Sequence, residues 1–114
     1  MSHYHISGLG AWLVQRLSAV YMGLFVVVVA IILLITPEID YIRWRGLFTQ
    51  PVLAIATTMF FLALLLHAWV GMRDVILDYA GPSPSMRLLI LSLLGGWLIA
   101  LGIWEIRIMM MVMV

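Results

Sequence analysis

The sequence predicts an all-α membrane protein, with three transmembrane helices in an up-down-up bundle that forms a single domain over residues 1–114. Two observations carry that prediction. Hydrophobic residues make up 66% of the chain and charged residues only 10%, against about a quarter charged in an ordinary soluble domain. The runs Leu17–Pro37, Gly46–Met72 and Leu88–Trp104 contain no formal charge at all. Such a composition cannot cover a soluble surface, so a soluble enzyme, a nucleic-acid binder and a disordered tail are excluded. Strands are excluded as well, because an open sheet in lipid leaves backbone groups unpaired and these runs lack alternating polarity.

A helix crosses the hydrocarbon core with about 20 residues, at about 1.5 Å each. The first two runs reach that length alone. The third reaches it once Met86 and the apolar tail Ile108–Val114 are included, with Glu105 and Arg107 near the far interface. The expected spans are roughly 12–36, 50–77 and 86–110. Met1–Gly10 has no basic region leading to a cleavage site, so the first run is expected to be a retained span rather than a signal peptide. Thr36-Pro37 ends it by a cap-and-proline signal. In Glu38–Gln50, the aromatics Tyr41, Trp44 and Phe48 suit a headgroup-level belt. Gly81, Pro82 and Pro84 end the second span, and Ser83 with Pro84 reads as the N-cap and first turn of the third.

Charge does not orient the bundle. Arg16, Arg73 and Arg87 fall on one side and Arg43, Arg45 and Arg107 on the other, which divides the six basic residues evenly. The chain has no cysteine. It therefore has no disulfide, no thiolate metal site, no covalent haem attachment and no iron–sulfur ligand of its own.

An ionisable residue inside a span costs a few kcal/mol at its centre, about 2.5–3.5 on insertion scales, and calls for a reason. His67 is such a residue. At 100° per residue, Phe60, Gly71, Asp74 and Asp78 share its helix face, and Asp78 lies about 16 Å further along the axis. Three readings of His67 are open: a structural hydrogen bond to a neighbouring helix, an axial ligand to a haem iron, or one member of a proton relay with the carboxylates. Gly71 favours the haem, since it removes a side chain where a flat macrocycle would approach. Asp74 is either part of that face or a solvated residue paired with Arg73 or with a partner chain. Asp78-Tyr79 reads as a polar helix end with an interfacial anchor, or as a quinone site, in which the Tyr hydroxyl donates to a quinone carbonyl and the carboxylate orients it. Arg16 opens the first span and is expected at the level of Asp78 and Tyr79 across the hairpin. It is either a snorkelling helix-end residue or an anion partner, for example for a haem propionate. The small-residue rows Ala19, Gly23, Ala30 and Ser92, Gly96, Ala100 are expected to be helix-packing seams. His3 and His5 are spaced like a metal pair, but a fraying terminus is a poor place for one. The nine Met residues read as lipid-facing or gap-filling groups.

The stretch His67-Ala68-Trp69-Val70-Gly71-Met72-Arg73, followed by Asp78-Tyr79, resembles the second helix of the small hydrophobic membrane anchor of bacterial succinate dehydrogenase, respiratory complex II. Trp44-Arg45-Gly46-Leu47-Phe48 resembles the segment entering that helix. Gln15-Arg16-Leu17-Ser18-Ala19 resembles the Arg-x-Ser/Thr-Ala element that opens the first. A similar Arg element occurs in the sister anchor of the same complex; Asp78-Tyr79 and Trp44-Arg45 favour the hydrophobic anchor over that sister. Length and layout match over nearly the whole chain. The resemblance implies a non-catalytic subunit of a quinone-reducing oxidoreductase in the bacterial cytoplasmic (inner) membrane, with its N-terminus cytoplasmic and its C-terminus periplasmic. It implies His67 as one axial ligand of haem b, Arg16 near a haem propionate, and Tyr79 with Asp78 beside it at the ubiquinone site. It also implies three protein partners: a second membrane anchor (the sister), an iron–sulfur subunit and a flavoprotein subunit.

The residues agree with a shared haem. His67 is the one His in the spans, so a bis-His site would take its second ligand from another chain. Other readings stand beside this one. The anchor of a quinol:fumarate reductase has the same architecture with the reaction reversed. A small proton-translocating or transporter subunit would use His67, Asp74 and Asp78 as its path, but the sequence shows neither the internal repeat nor the broken span that such proteins carry. A purely structural assembly protein leaves His67 unexplained.

Overall fold

The structure, a computed structural model, describes residues 2–79, 81 and 83–113, with side chains from Gly8 onward. Four helices follow in order: α1 (Ser2–Ile35), α2 (Tyr41–Thr49), α3 (Pro51–Tyr79) and α4 (Pro84–Met113). Helices α1, α3 and α4 are the three long apolar ones, able to cross a membrane over Gly8–Ile35, Pro51–Tyr79 and Pro84–Met113. The chain is thus an all-α, three-span bundle. The helices extend beyond the charge-free runs: α1 runs back through Arg16 to Ser2, α3 on through Arg73, Asp74 and Asp78, and α4 on through Glu105 and Arg107. Three crossings would put the start of α1 and the end of α4 on opposite faces of the membrane. Reporter fusions at the two ends are expected to read opposite sides, and readings on the same side would exclude this topology.

The helix ends follow local chemistry. Helix α1 stops at Ile35, where the Thr36 hydroxyl donates back to the Ile32 carbonyl at 2.7 Å and Pro37 follows. The segment after it forms a helix that the aromatic pattern alone did not predict. The Asp40 carboxylate caps α2 by accepting from the Arg43 backbone N–H at 2.8 Å, and Trp44 meets Phe48 edge to face one turn on. Helix α4 begins at Pro84, with the Ser83 side chain accepting from the Met86 N–H at 3.4 Å, so the expected cap and first turn are present. Gly81 adopts φ +82° between α3 and α4, a conformation that costs Gly little. Pro82, and the side chains of His3 and His5, lie outside the described residues.

Helix α3 is central. Among the described residues α1 and α4 pack on it from two sides without meeting each other, while α2 touches α3 and α4. The α1–α3 seam stacks Phe25 on Phe60 at 4.6 Å between ring centroids, and the Tyr21 hydroxyl donates to the Ala56 carbonyl at 2.6 Å. The α3–α4 seam is made by two glycines. A Cβ on Gly95 would meet Trp69 at 3.5 Å, and one on Gly102 would meet Leu65 at 3.1 Å. Close helix approach through small residues supplies packing where lipid offers no hydrophobic drive. The rows expected to do this do not. Ala19, Gly23, Ala30, Ser92, Gly96 and Ala100 are all exposed, and a Cβ at Gly23 or Gly96 would meet nothing within 4 Å. Those rows face out of this chain, toward lipid or a partner helix.

Glu105 lies inside the α3–α4 seam and is only 9% exposed. It lines a cleft of about 280 Å³ with Phe61, Leu64 and Trp104 among its walls. Its Oε1 has no hydrogen-bond partner among the described residues. A buried polar group left unpaired costs about 1–3 kcal/mol, and more if charged. The placement near the far interface was expected; the burial was not.

Candidate functional site

The site forms where the one embedded His meets α1. His67 stands near the middle of α3 and is partly buried. The helical period turns it, with Phe60 and Gly71, toward α1. The Ser18 hydroxyl lies 3.1 Å from its Nδ1 and the Gln15 side-chain nitrogen 3.4 Å from its Nε2. Ser18 is itself buried, at 7% exposure, and its hydroxyl also donates to the Gln15 carbonyl at 3.1 Å. Gln15 and Ser18 are three residues apart on one helix face, so the two side chains reach the imidazole from adjacent turns.

Gly71 serves this arrangement. A Cβ there would come within 3.3 Å of the Gln15 amide nitrogen, so the missing side chain makes room for Gln15 beside His67. The space was expected to be an open slot for a flat ring, and in this chain the Gln15 side chain occupies it. The Gln15 Oε1 is buried and has no partner among the described residues. Ser18 and Gln15 were not foreseen as partners of His67. The available signal was two polar residues at a three-residue spacing within an apolar run, opposite a polar residue in the antiparallel span.

The other predicted residues are not gathered around His67. Arg16 is exposed, with its guanidinium carbon 5.2 Å from the centroid of the Trp12 ring on its own helix. The pairs Gln15–His67, Ser18–His67 and Phe25–Phe60 set the α1–α3 register. In that register Arg16 stands at the level of Leu66–Trp69, and Asp78 lies about 14–18 Å further along the axis. The expected match of Arg16 with Asp78 and Tyr79 is therefore corrected: α1 continues past Arg16 to Ser2, and its earlier residues reach the level of Asp78. Asp78 and Tyr79 form the last turn of α3, both exposed, Tyr79 at 83%. The clefts between the helices are lined by other residues. Asp74 is also exposed and pairs with its neighbour Arg73 at 3.4 Å, the solvated alternative named above and a pair of small energetic worth.

Among the described residues, no group of three or more His, Asp or Glu side chains gathers as a self-contained metal site. What the chain presents is one imidazole in mid-span, held from one side, and an exposed acid–phenol pair at a helix end. Chemically, the first can give one nitrogen lone pair to a metal and the second can donate or accept a hydrogen bond at the membrane surface.

A family model described as the succinate dehydrogenase/fumarate reductase transmembrane subunit matches residues 1–103. A succinate dehydrogenase hydrophobic membrane anchor subunit from Coxiella burnetii is 33% identical over 96 residues, covering 84% of this chain and 83% of that protein.

Proposed function

Because the chain belongs to the succinate dehydrogenase/fumarate reductase transmembrane subunit family, we propose that it is the membrane anchor of a succinate:quinone oxidoreductase, binding haem b jointly with a second anchor subunit and contributing to the site where ubiquinone is reduced. The observation that carries this reading is the placement of His67: a lone imidazole near the middle of a span, held to α1 by a short contact at Nδ1 and a longer one at Nε2. The spans offer one imidazole that could hold a b-type haem, so a second histidine ligand would come from the partner anchor. Bound there, the haem supplies a one-electron redox centre within the bilayer. His67 would hold it through Nε2 once the Gln15 amide moves aside, with Ser18 keeping hold of the imidazole at Nδ1.

Arg16, exposed and close to the level of His67, is placed to pair with a propionate carboxylate. Tyr79 and Asp78 face outward at the end of α3, where a quinone ring held against a partner surface would accept a hydrogen bond from the phenol. Their exposure supports a site completed by another subunit. The flavoprotein and iron–sulfur subunits dock on this same side, with the N-terminus in the bacterial cytoplasm and the C-terminus in the periplasm. The exposed small-residue rows of α1 and α4 offer close-packing faces to the second anchor.

The deciding experiment is an optical spectrum of the complex purified through this chain. Sharp reduced b-type haem bands are expected, together with flavoprotein and iron–sulfur partners and succinate-dependent quinone reduction. A complex with these partners but without haem bands would overturn the haem part of the proposal. Purification without the partners would overturn the anchor reading.

A further inference from the structure

The polar contacts around His67 support a proton assignment that leaves one ring nitrogen as a base. In the arrangement seen, the Gln15 side-chain nitrogen faces Nε2. That nitrogen is an amide NH2, which only donates, so with the amide in this orientation Nε2 carries the lone pair. A neutral imidazole with its lone pair on Nε2 carries its hydrogen on Nδ1. Nδ1–H then donates to the Ser18 oxygen at 3.1 Å. Ser18 is free to accept, because its own single hydrogen is directed to the Gln15 carbonyl at 3.1 Å. Each hydrogen in this chain of contacts has one acceptor.

The two partners of His67 are not equal. The Ser18 contact is the shorter one, and its oxygen is held in place by the backbone of its own helix. The Gln15 contact is long at 3.4 Å, and the same amide leaves its oxygen buried without a partner among the described residues. Gln15 can therefore leave at little cost, whereas removing Ser18 leaves the Nδ1–H of a partly buried ring without an acceptor.

We infer that Ser18 is a positioning residue for His67: it fixes the tautomer with hydrogen on Nδ1, orients the ring, and reserves Nε2 for a metal, while the Gln15 amide is a displaceable cover over that lone pair. The inference rests on the haem reading above. A hydrogen bond from the distal ring nitrogen fixes the orientation of a ligating imidazole and raises its basicity. A more basic ligand favours the ferric state, so loss of the bond raises the midpoint potential. Outer-shell partners of this kind affect metal affinity by about 10–100-fold.

The test uses the intact membrane complex and two variants. Ser18→Ala removes the acceptor. Ser18→Cys keeps nearly the same volume but offers only a weak one. In both, potentiometric titration of the haem bands is expected to show a higher midpoint potential, and haem retention on washing is expected to fall by about 10–100-fold. Dye-linked succinate oxidation by the partner subunits stays unchanged. Wild-type potential and haem retention in Ser18→Ala would overturn the inference. So would a Ser18→Cys complex that behaves as wild type, since space-filling would then be the role of Ser18. His67→Ala separates the two levels. If it removes the haem bands while the Ser18 variants change nothing, the haem reading stands and the positioning role falls. If it leaves the haem bands untouched, the haem reading falls with it.

Discussion

His67→Ala in the assembled complex is expected to abolish or grossly alter the b-type haem spectrum. The effect should be the largest of any single substitution in this chain. His67 is the one imidazole in the three spans, and no neighbouring side chain can take its place: Ser18 and Gln15, which surround it, are poor iron ligands. Loss of a direct ligand should exceed the 10–100-fold change in affinity that loss of an outer-shell partner brings. Reduced-minus-oxidised optical spectra and haem content per complex measure it. Succinate oxidation with a soluble dye should continue, because this chain has no cysteine and any iron–sulfur relay would lie in partner subunits. An unchanged spectrum and potential would remove His67 from the ligand set and leave it as a structural bridge between α1 and α3.

Tyr79→Phe is expected to lower succinate:quinone reductase activity about 2- to 10-fold, the effect of a lost hydrogen bond worth roughly 0.5–1.5 kcal/mol. The phenol would donate to a quinone carbonyl oxygen as negative charge builds on it. The structure makes this a clean substitution. Tyr79 is 83% exposed in the last turn of α3, so removing its hydroxyl opens no cavity, and haem content and dye-linked succinate oxidation should be unchanged. Asp78 should be sensitive as well, though its change would mix quinone effects with effects on the helix end. Full quinone reductase activity in Tyr79→Phe, with unaltered apparent quinone affinity and inhibitor sensitivity, would make Tyr79 an interfacial anchor and move the quinone site elsewhere.

The candidate site was legible in part. His67 stands out in the sequence because water is absent where it sits, and an ionisable group there is costly. Its face was legible from the helical period, and the structure does turn Phe60, His67 and Gly71 toward α1. Its partners were not legible. Gln15 and Ser18 could be assigned to it only once the register between two spans was known. Register is weakly written in helices that are apolar on every face, since no polar side marks which way each one turns. The same gap misplaced Arg16. Counting from the apparent start of the span put it level with Asp78, whereas the helix begins at Ser2 and the contacts set Arg16 nearer the level of His67.

The sequence by itself determined the number of spans, their alternation and most of their ends. Those follow from local and strong constraints: hydrocarbon thickness, the need to pair every backbone group in lipid, and the stop signals at Thr36-Pro37 and Ser83-Pro84. Only the tertiary structure decided which faces meet. It placed Gly95 and Gly102 in the α3–α4 seam, turned the rows of Gly23 and Gly96 outward, and buried Glu105 without a partner among the described residues. The physical reason is that lipid solvates leucine as well as another helix does. Selection among faces is therefore left to fine shape, to close approach at individual glycines and to a few hydrogen bonds such as Ser18 to His67.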